Sequence, residues 1–187
     1  MKILALALAS LLCIPAAAFA QAPIGPGSVK LGKVSPEVVK TPEYQVTGAN
    51  KRSKLGSWLE FEIEFETKAE EIPELTFTFT AQIEGKLLTG EVTYVNIAKG
   101  REHYAVMYIS PKSIEKLTGG KTLTGAGIQN VWVKVEKDGV NLDPPMASFK
   151  AGPIPNAAKL PGLLLNKSQT PFAPLYYDRY EEIKPAR

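Results

Sequence analysis

From Leu59 to Glu66 the chain alternates without a break, with Leu59, Phe61, Ile63 and Phe65 on one side and Glu60, Glu62, Glu64 and Glu66 on the other. A two-residue period is that of a strand buried on one face, whereas a helix would scatter the glutamates around its circumference. The pattern returns from Leu75 to Ile83, where Leu75, Phe77, Phe79, Ala81 and Ile83 oppose Thr76, Thr78, Thr80 and Gln82. Threonines suit the wet side of a pleated surface. Glu84-Gly85 then separates this run from Lys86 to Val95, and a two-residue connection containing glycine predicts a hairpin of antiparallel neighbours. Tyr104 to Ile109 is apolar on both sides, as a central strand would be.

Ser110-Pro111 offers a cap and a first-turn proline for a short helical segment through Leu117, which Gly119-Gly120 stops. Ile128 to Glu136 is a further strand, with Val131, Val133 and Val135 on one face and Trp132 on the other. Asp138-Gly139 is a type I′ turn signal, and Val140 begins the return. Pro144-Pro145 interrupts that return, so the last strand should restart near Ala147 and lie at an edge.

Tyr44 to Gly48 is a candidate first strand, and Lys51 to Lys54 a solvated loop. About seven short strands separated by turns predict an all-β fold, an antiparallel β-sandwich over residues 42–152 with one short helical segment. Residues 21–41, rich in Gly, Pro and Lys, show no apolar period and are expected to be an extended leader whose order depends on docking. Residues 153–187 are a Pro-rich linker and an aromatic C-terminal tail.

The N-terminus changes the picture by giving an address. Lys2, the apolar run Ile3 to Ile14, and Ala18-Phe19-Ala20 before Gln21 are the marks of a secretory signal spanning residues 1–20. That run is shorter than the roughly twenty residues a membrane span needs, so no transmembrane segment is expected after cleavage. Leu12 rather than a small residue precedes Cys13, which argues against lipoprotein processing. Cleavage would remove the only cysteine, leaving burial rather than disulfides to stabilise the domain. It would also remove one positive charge from a net +3, with acids and bases interspersed, a balance that implies neither nucleic acid nor an anionic membrane as partner.

Catalytic signals are weak. The four glutamates from Glu60 to Glu66 cannot alone converge on a calcium ion, which needs six to eight oxygens, and are read as a solvated face for which Glu62→Gln should be nearly neutral. Asp138 and Asp143 are read as turn formers. His103 is the only histidine, with no cysteine in the mature chain to share zinc, and a strand-borne histidine without a Gly-x-Ser-x-Gly elbow is read as structural. Any two of sixteen glutamates could meet as a hydrolytic pair, but their number proves nothing. Gly119-Gly120-Lys121-Thr122 lacks the first glycine and the long helix of a phosphate loop. The expectation is a non-enzyme with no cofactor and no metal.

One stretch asks for a partner. After Leu163-Leu164-Leu165, four aromatics fall within nine residues, and Phe172, Tyr176, Tyr177, Arg179 and Tyr180 are the candidate partner-binding residues. The same stretch would equally serve to cover an apolar patch of its own domain.

Thr41-Pro42-Glu43-Tyr44, the glutamate-alternating strand through Phe65, and the ending from Asn166-Lys167 through Thr170-Pro171-Phe172-Ala173-Pro174-Leu175-Tyr176-Tyr177-Asp178-Arg179-Tyr180-Glu181 resemble a small exported protein family of Verrucomicrobia. The family's best-known type is an Akkermansia envelope protein encoded beside type IV pilus-like components. The resemblance implies an immunoglobulin-like sandwich, structural or adhesive work in the periplasm or at the outer membrane, and envelope or pilus-like proteins as partners. It brings no binding residues with it. Because the signal here is of the ordinary secretory kind, kinship to pilins concerns the globular head rather than an assembly helix. The alternative is a carbohydrate-binding or adhesive module, which would need exposed flat aromatics among Trp58, Trp132, Tyr176 and Tyr177.

Overall fold

The computed structural model describes residues 24–44, 55–121, 123, 127–143 and 146–185. Its frame is one long hairpin. β1 (Val29–Lys40) leads to β2 (Ser57–Ile83) and β3 (Lys86–Ile109), strands of 27 and 24 residues that run antiparallel along their whole length. Glu84 and Gly85 reverse the chain with φ of 47° and 73°, the left-handed pair that matches the twist of a two-residue hairpin. The β2–β3 register slips between Phe65 and Thr67 and again before Glu71. Such bulges bend a ladder, and here they fold the hairpin so that its halves face each other.

The first half of β2 is flanked by β1 and the second half of β3. Its second half is flanked by the first half of β3 and by β4 (Ile128–Lys137). The result is an antiparallel β-sandwich whose two layers share the same two long strands. Leu59, Phe61, Ile63 and Phe65 from one layer and Leu75, Phe77, Phe79, Val131 and Val133 from the other are buried in one core, as their alternation predicts. Phe65 and Phe77 meet across the bend with ring centroids 4.8 Å apart.

α1 (Pro111–Thr118) begins where Ser110 Oγ accepts from the Ser113 amide and ends on Gly119 at φ 65°, the capping that the sequence implies. Asp138 and Gly139, with φ of 51° and 77°, turn β4 into β5 (Val140–Asn141). β6 (Ala147–Ser148) returns to pair with β4 at Trp132 and Val133. The intervening Pro144-Pro145 lies outside the described residues, as do the expected signal (residues 1–20) and the Lys51 to Lys54 loop.

Three expectations change. Residues 21–41 are more than an extended leader, because β1 pairs with β2 from Val29↔Thr67 to Lys40↔Ser57. Val29, Leu31 and Val34 are buried, but a bulge between Leu31 and Val34 shifts the alternation by one and hides its period. Tyr44 lies beyond the end of β1 in irregular structure, and the rest of the expected Tyr44 to Gly48 strand falls outside the described residues. Finally, residues 153–187 contribute strands: β7 (Lys159–Pro161) lies parallel to β3 at Leu87–Thr89, β8 (Leu165–Asn166) antiparallel at Met107–Tyr108, and β9 (Glu182–Ile183) antiparallel at Tyr94–Val95. Between β8 and β9, after a single 3-10 turn at Lys167–Gln169, the tail crosses the outer face of the first layer.

Candidate functional site

That outer face carries the side chains of β2 and β3 that point away from the core: Trp58, Glu60, Glu62, Val106 and Tyr108. An uncovered face bearing a tryptophan, a tyrosine and a valine would leave apolar surface in water. The tail covers it with Phe172, which stacks on Tyr108 (centroids 4.8 Å, 10° between planes) and meets the edge of Trp58 at 5.6 Å. Trp58, Val106, Tyr108 and Phe172 form a second buried cluster, with Val39, Leu165, Leu175 and Tyr180 packed around it.

Polar contacts lock the tail in place. Arg179 donates twice to Glu62, from Nε at 3.1 Å and Nη2 at 2.7 Å, while its guanidinium lies 3.6 Å above the Tyr104 ring. Tyr180 Oη donates to the second oxygen of Glu62 at 2.5 Å. The Glu62 hydrogen bond raises the already high proton affinity of Arg179, so the guanidinium stays charged. Burial, with Glu62 second, raises that of the Tyr180 phenol. Lys167 is buried, its Nζ donating to the Ala173 carbonyl at 3.0 Å and lying over the Tyr180 ring, and that burial lowers its pKa. His103 Nδ1 pairs with Glu181 Oε1 at 2.7 Å, its ring stacked on Phe65. His103 is therefore a latch between β3 and the end of the tail.

A groove of about 720 Å³ remains between the tail and β1. Glu37 of β1 and Glu60 of β2, directly opposite in register, line it together with Lys40, Glu62 and Arg179, while Tyr108 of β3, opposite Glu60, lies beneath the tail and outside the lining. Burial holds the Glu60 carboxyl above its ordinary value of 4.5, the charges of Glu62 and Glu37 push the same way, and Tyr108 and Arg179 offset them only in part. Tyr108 is wholly buried, and its hydroxyl meets no group with hydrogen-bond geometry. Burial and the neighbouring Glu60 charge raise the pKa of that phenol. Leu175, Tyr176 and Arg179 form the tail side of the groove. Tyr176 stands at its lip with φ 52° and is 59% exposed.

The five candidate residues therefore divide. Phe172, 5% exposed, is closed off in the second cluster, and Arg179 and Tyr180 are committed to Glu62. Tyr176 and Tyr177, the latter 85% exposed, are the pair a partner can reach. The expected solvated glutamate face is half covered, because only Glu64 of the four is fully exposed. Sequence reasoning missed Glu37, Glu60 and Tyr108 as a unit, since they lie on three strands and only register joins them. Trp58 and Trp132 are buried, at 8% and 2% exposure. Among the described residues no three His, Cys, Asp or Glu side chains come together to hold a metal ion.

Residues 20–187 match a protein-family model. A protein from Akkermansia muciniphila of known crystal structure superposes with a TM-score of 0.71 at 30% identity, covering 85% of this chain and 94% of that one. The chain belongs to this Akkermansia-type family. No curated protein matches it. Membership fits the β-sandwich and extends over β1 and the tail, so the elements that build the groove lie within the family's span. Among the described residues, no helix is long and apolar enough to cross a membrane.

Proposed function

We propose that the protein is an exported, non-enzymatic component of the cell envelope, an immunoglobulin-like domain structural or accessory to a type IV pilus-like apparatus. The match to the Akkermansia-type family across residues 20–187 carries this reading. Two features support it. The lone histidine is engaged at both ends of its ring surroundings, by Glu181 and by Phe65, and so is used for structure. The exposed Tyr176-Tyr177 pair sits on a segment pinned by Phe172 and Arg179, giving a fixed aromatic contact of the kind that anchors protein partners. Burial of both tryptophans removes the indole faces a glycan platform would use and leaves the carbohydrate-binding alternative only Tyr176 and Tyr177.

Fractionation of the native host tests this. The chain should be recovered from the envelope with Gln21 at its N-terminus, and a photo-cross-linking side chain at position 177 should form an adduct with a pilus-like envelope protein. Recovery with the apolar run retained, or with lipid on Cys13, overturns export by a secretory signal; adducts to unrelated proteins only overturn the pilus role.

A further inference from the structure

The even mixture of acids and bases along the chain conceals an uneven distribution in the fold. Folding of the long hairpin brings the end of β1, the start of β2, the β2–β3 turn and α1 to one end of the sandwich. There Thr41 donates to the Gly56 carbonyl at 2.9 Å, Gly56 lies against Pro111, and Lys86 Nζ donates to the Leu117 carbonyl at 3.2 Å. Lys40, Lys86, Lys112, Lys116 and Lys121 are exposed at this end, against Glu43, Glu84 and Glu115. None of the five lysines takes part in an ion pair among the described residues. In the sequence, Lys51-Arg52-Ser53-Lys54 leads directly into Leu55. α1 itself gains nothing from its charges: its first turn holds Lys112 and no acid, against the preference of the helix dipole, and Lys112 and Lys116 stand four residues apart as like charges. The same end exposes aliphatic surface. Val38 and Leu55 are 60% and 55% exposed, and a groove of about 300 Å³ between Val38, Leu59, Ile114 and Leu123 is matched by one of about 580 Å³ beside Leu55 and Lys112.

We infer that this end of the sandwich docks on the surface of an anionic lipid bilayer, with Val38 and Leu55 entering the headgroup region and Lys112, Lys116 and Lys121 held against the lipid phosphates. Charge complementarity selects this occupant. The five exposed cations are all lysines, point charges on flexible stems that lack the planar fork by which arginine reads a single carboxylate, and so they suit a diffuse layer of phosphates. Their stems add apolar length beside Val38 and Leu55 while the ammonium groups stay at the level of the headgroups. Reversible attachment to a bilayer needs an apolar and an electrostatic contribution together, and both are present on one surface here. An acidic segment of another protein is the competing occupant, and neither groove offers it an arginine.

The inference uses neither the tail nor a role in a pilus-like apparatus, so its failure leaves that reading untouched. The purified chain of residues 21–187 should sediment with vesicles of phosphatidylethanolamine and phosphatidylglycerol, less so as salt is raised, and should stay in solution with vesicles of phosphatidylcholine alone. The double variant Lys112→Gln/Lys116→Gln should bind the anionic vesicles roughly tenfold more weakly, with folding verified from its melting curve. Leu55→Ser should also weaken binding but keep the salt dependence, because it removes an apolar contact and no charge. Lys68→Gln, at an exposed lysine in the bend of the hairpin, should bind like the wild type. Pentaglutamate should not displace the protein from the vesicles. Equal binding to neutral and anionic vesicles, unchanged binding by the double variant or by Leu55→Ser, equal weakening by Lys68→Gln, or no binding at all would each overturn the proposal. Displacement by pentaglutamate would overturn it in favour of an acidic protein segment.

Discussion

Glu62 joins two tail side chains at one carboxylate, accepting from Arg179 and Tyr180 together. The sequence alone implied a near-neutral Glu62→Gln, because the strand alternates and its glutamates look solvated. With the bidentate pair in place, urea denaturation should show a loss of roughly 1–2 kcal/mol, limited by the partial exposure of the pair. Phe61→Ala, on the opposite face and fully buried, should cost about 3–5 kcal/mol. Glu60 behaves in the contrary sense. Because its folded pKa is raised above 4.5, it binds a proton more readily in the folded chain than in the unfolded one. Its contribution to stability is complete below pH 4.5 and is lost as pH rises through the raised value. Glu60→Gln should remove that decline, so that the variant becomes progressively more stable than the wild type from pH 4.5 towards neutrality, as measured by melting in a pH series. A constant difference across the series would show that Glu60 does not titrate in this window.

At the scale of elements, the tail behaves as a strap whose removal uncovers a prepared surface. A chain ending at Pro161 keeps the core hairpin but loses β8, Phe172, Arg179 and β9. It should melt lower and bind an apolar-surface dye, whereas an unchanged melting temperature would mean the strap contributes nothing. Its path is tight where it turns into β8. A Cβ on Gly90 would lie 2.6 Å from Leu164 Cβ and 2.8 Å from Met107 Cε, so Gly90→Ala should destabilise by about 1–3 kcal/mol. Strands were legible in the sequence wherever apolar residues alternate without interruption, as in Leu59 to Glu66 and Val131 to Val135. β1 was not, because its bulge shifts the period. The two halves of β2 looked separate because Glu70-Glu71 and Pro73 interrupt the alternation, at the place where the ladder bends rather than ends.

For the molecule as a whole, the sandwich and the hairpin turns at Glu84-Gly85 and Asp138-Gly139 were readable from short-range pattern. The groove was not. Its floor depends on register between strands whose members are far apart in sequence, and its wall on a tail that carries no period at all. Only the aromatic crowding around Tyr176 signalled that something would be covered there.

The strap has a consequence for the order of events during folding. The surface that Phe172 occupies, between Trp58 and Tyr108, does not exist until the far ends of β2 and β3 have paired. Docking of the tail is therefore expected to follow the pairing of those strand ends. Phe172→Ala should leave the refolding rate nearly unaltered and accelerate unfolding, a low φ-value in a stopped-flow chevron. On that order, Tyr176 and Tyr177 should reach their final orientation only on a chain whose sheet is already complete.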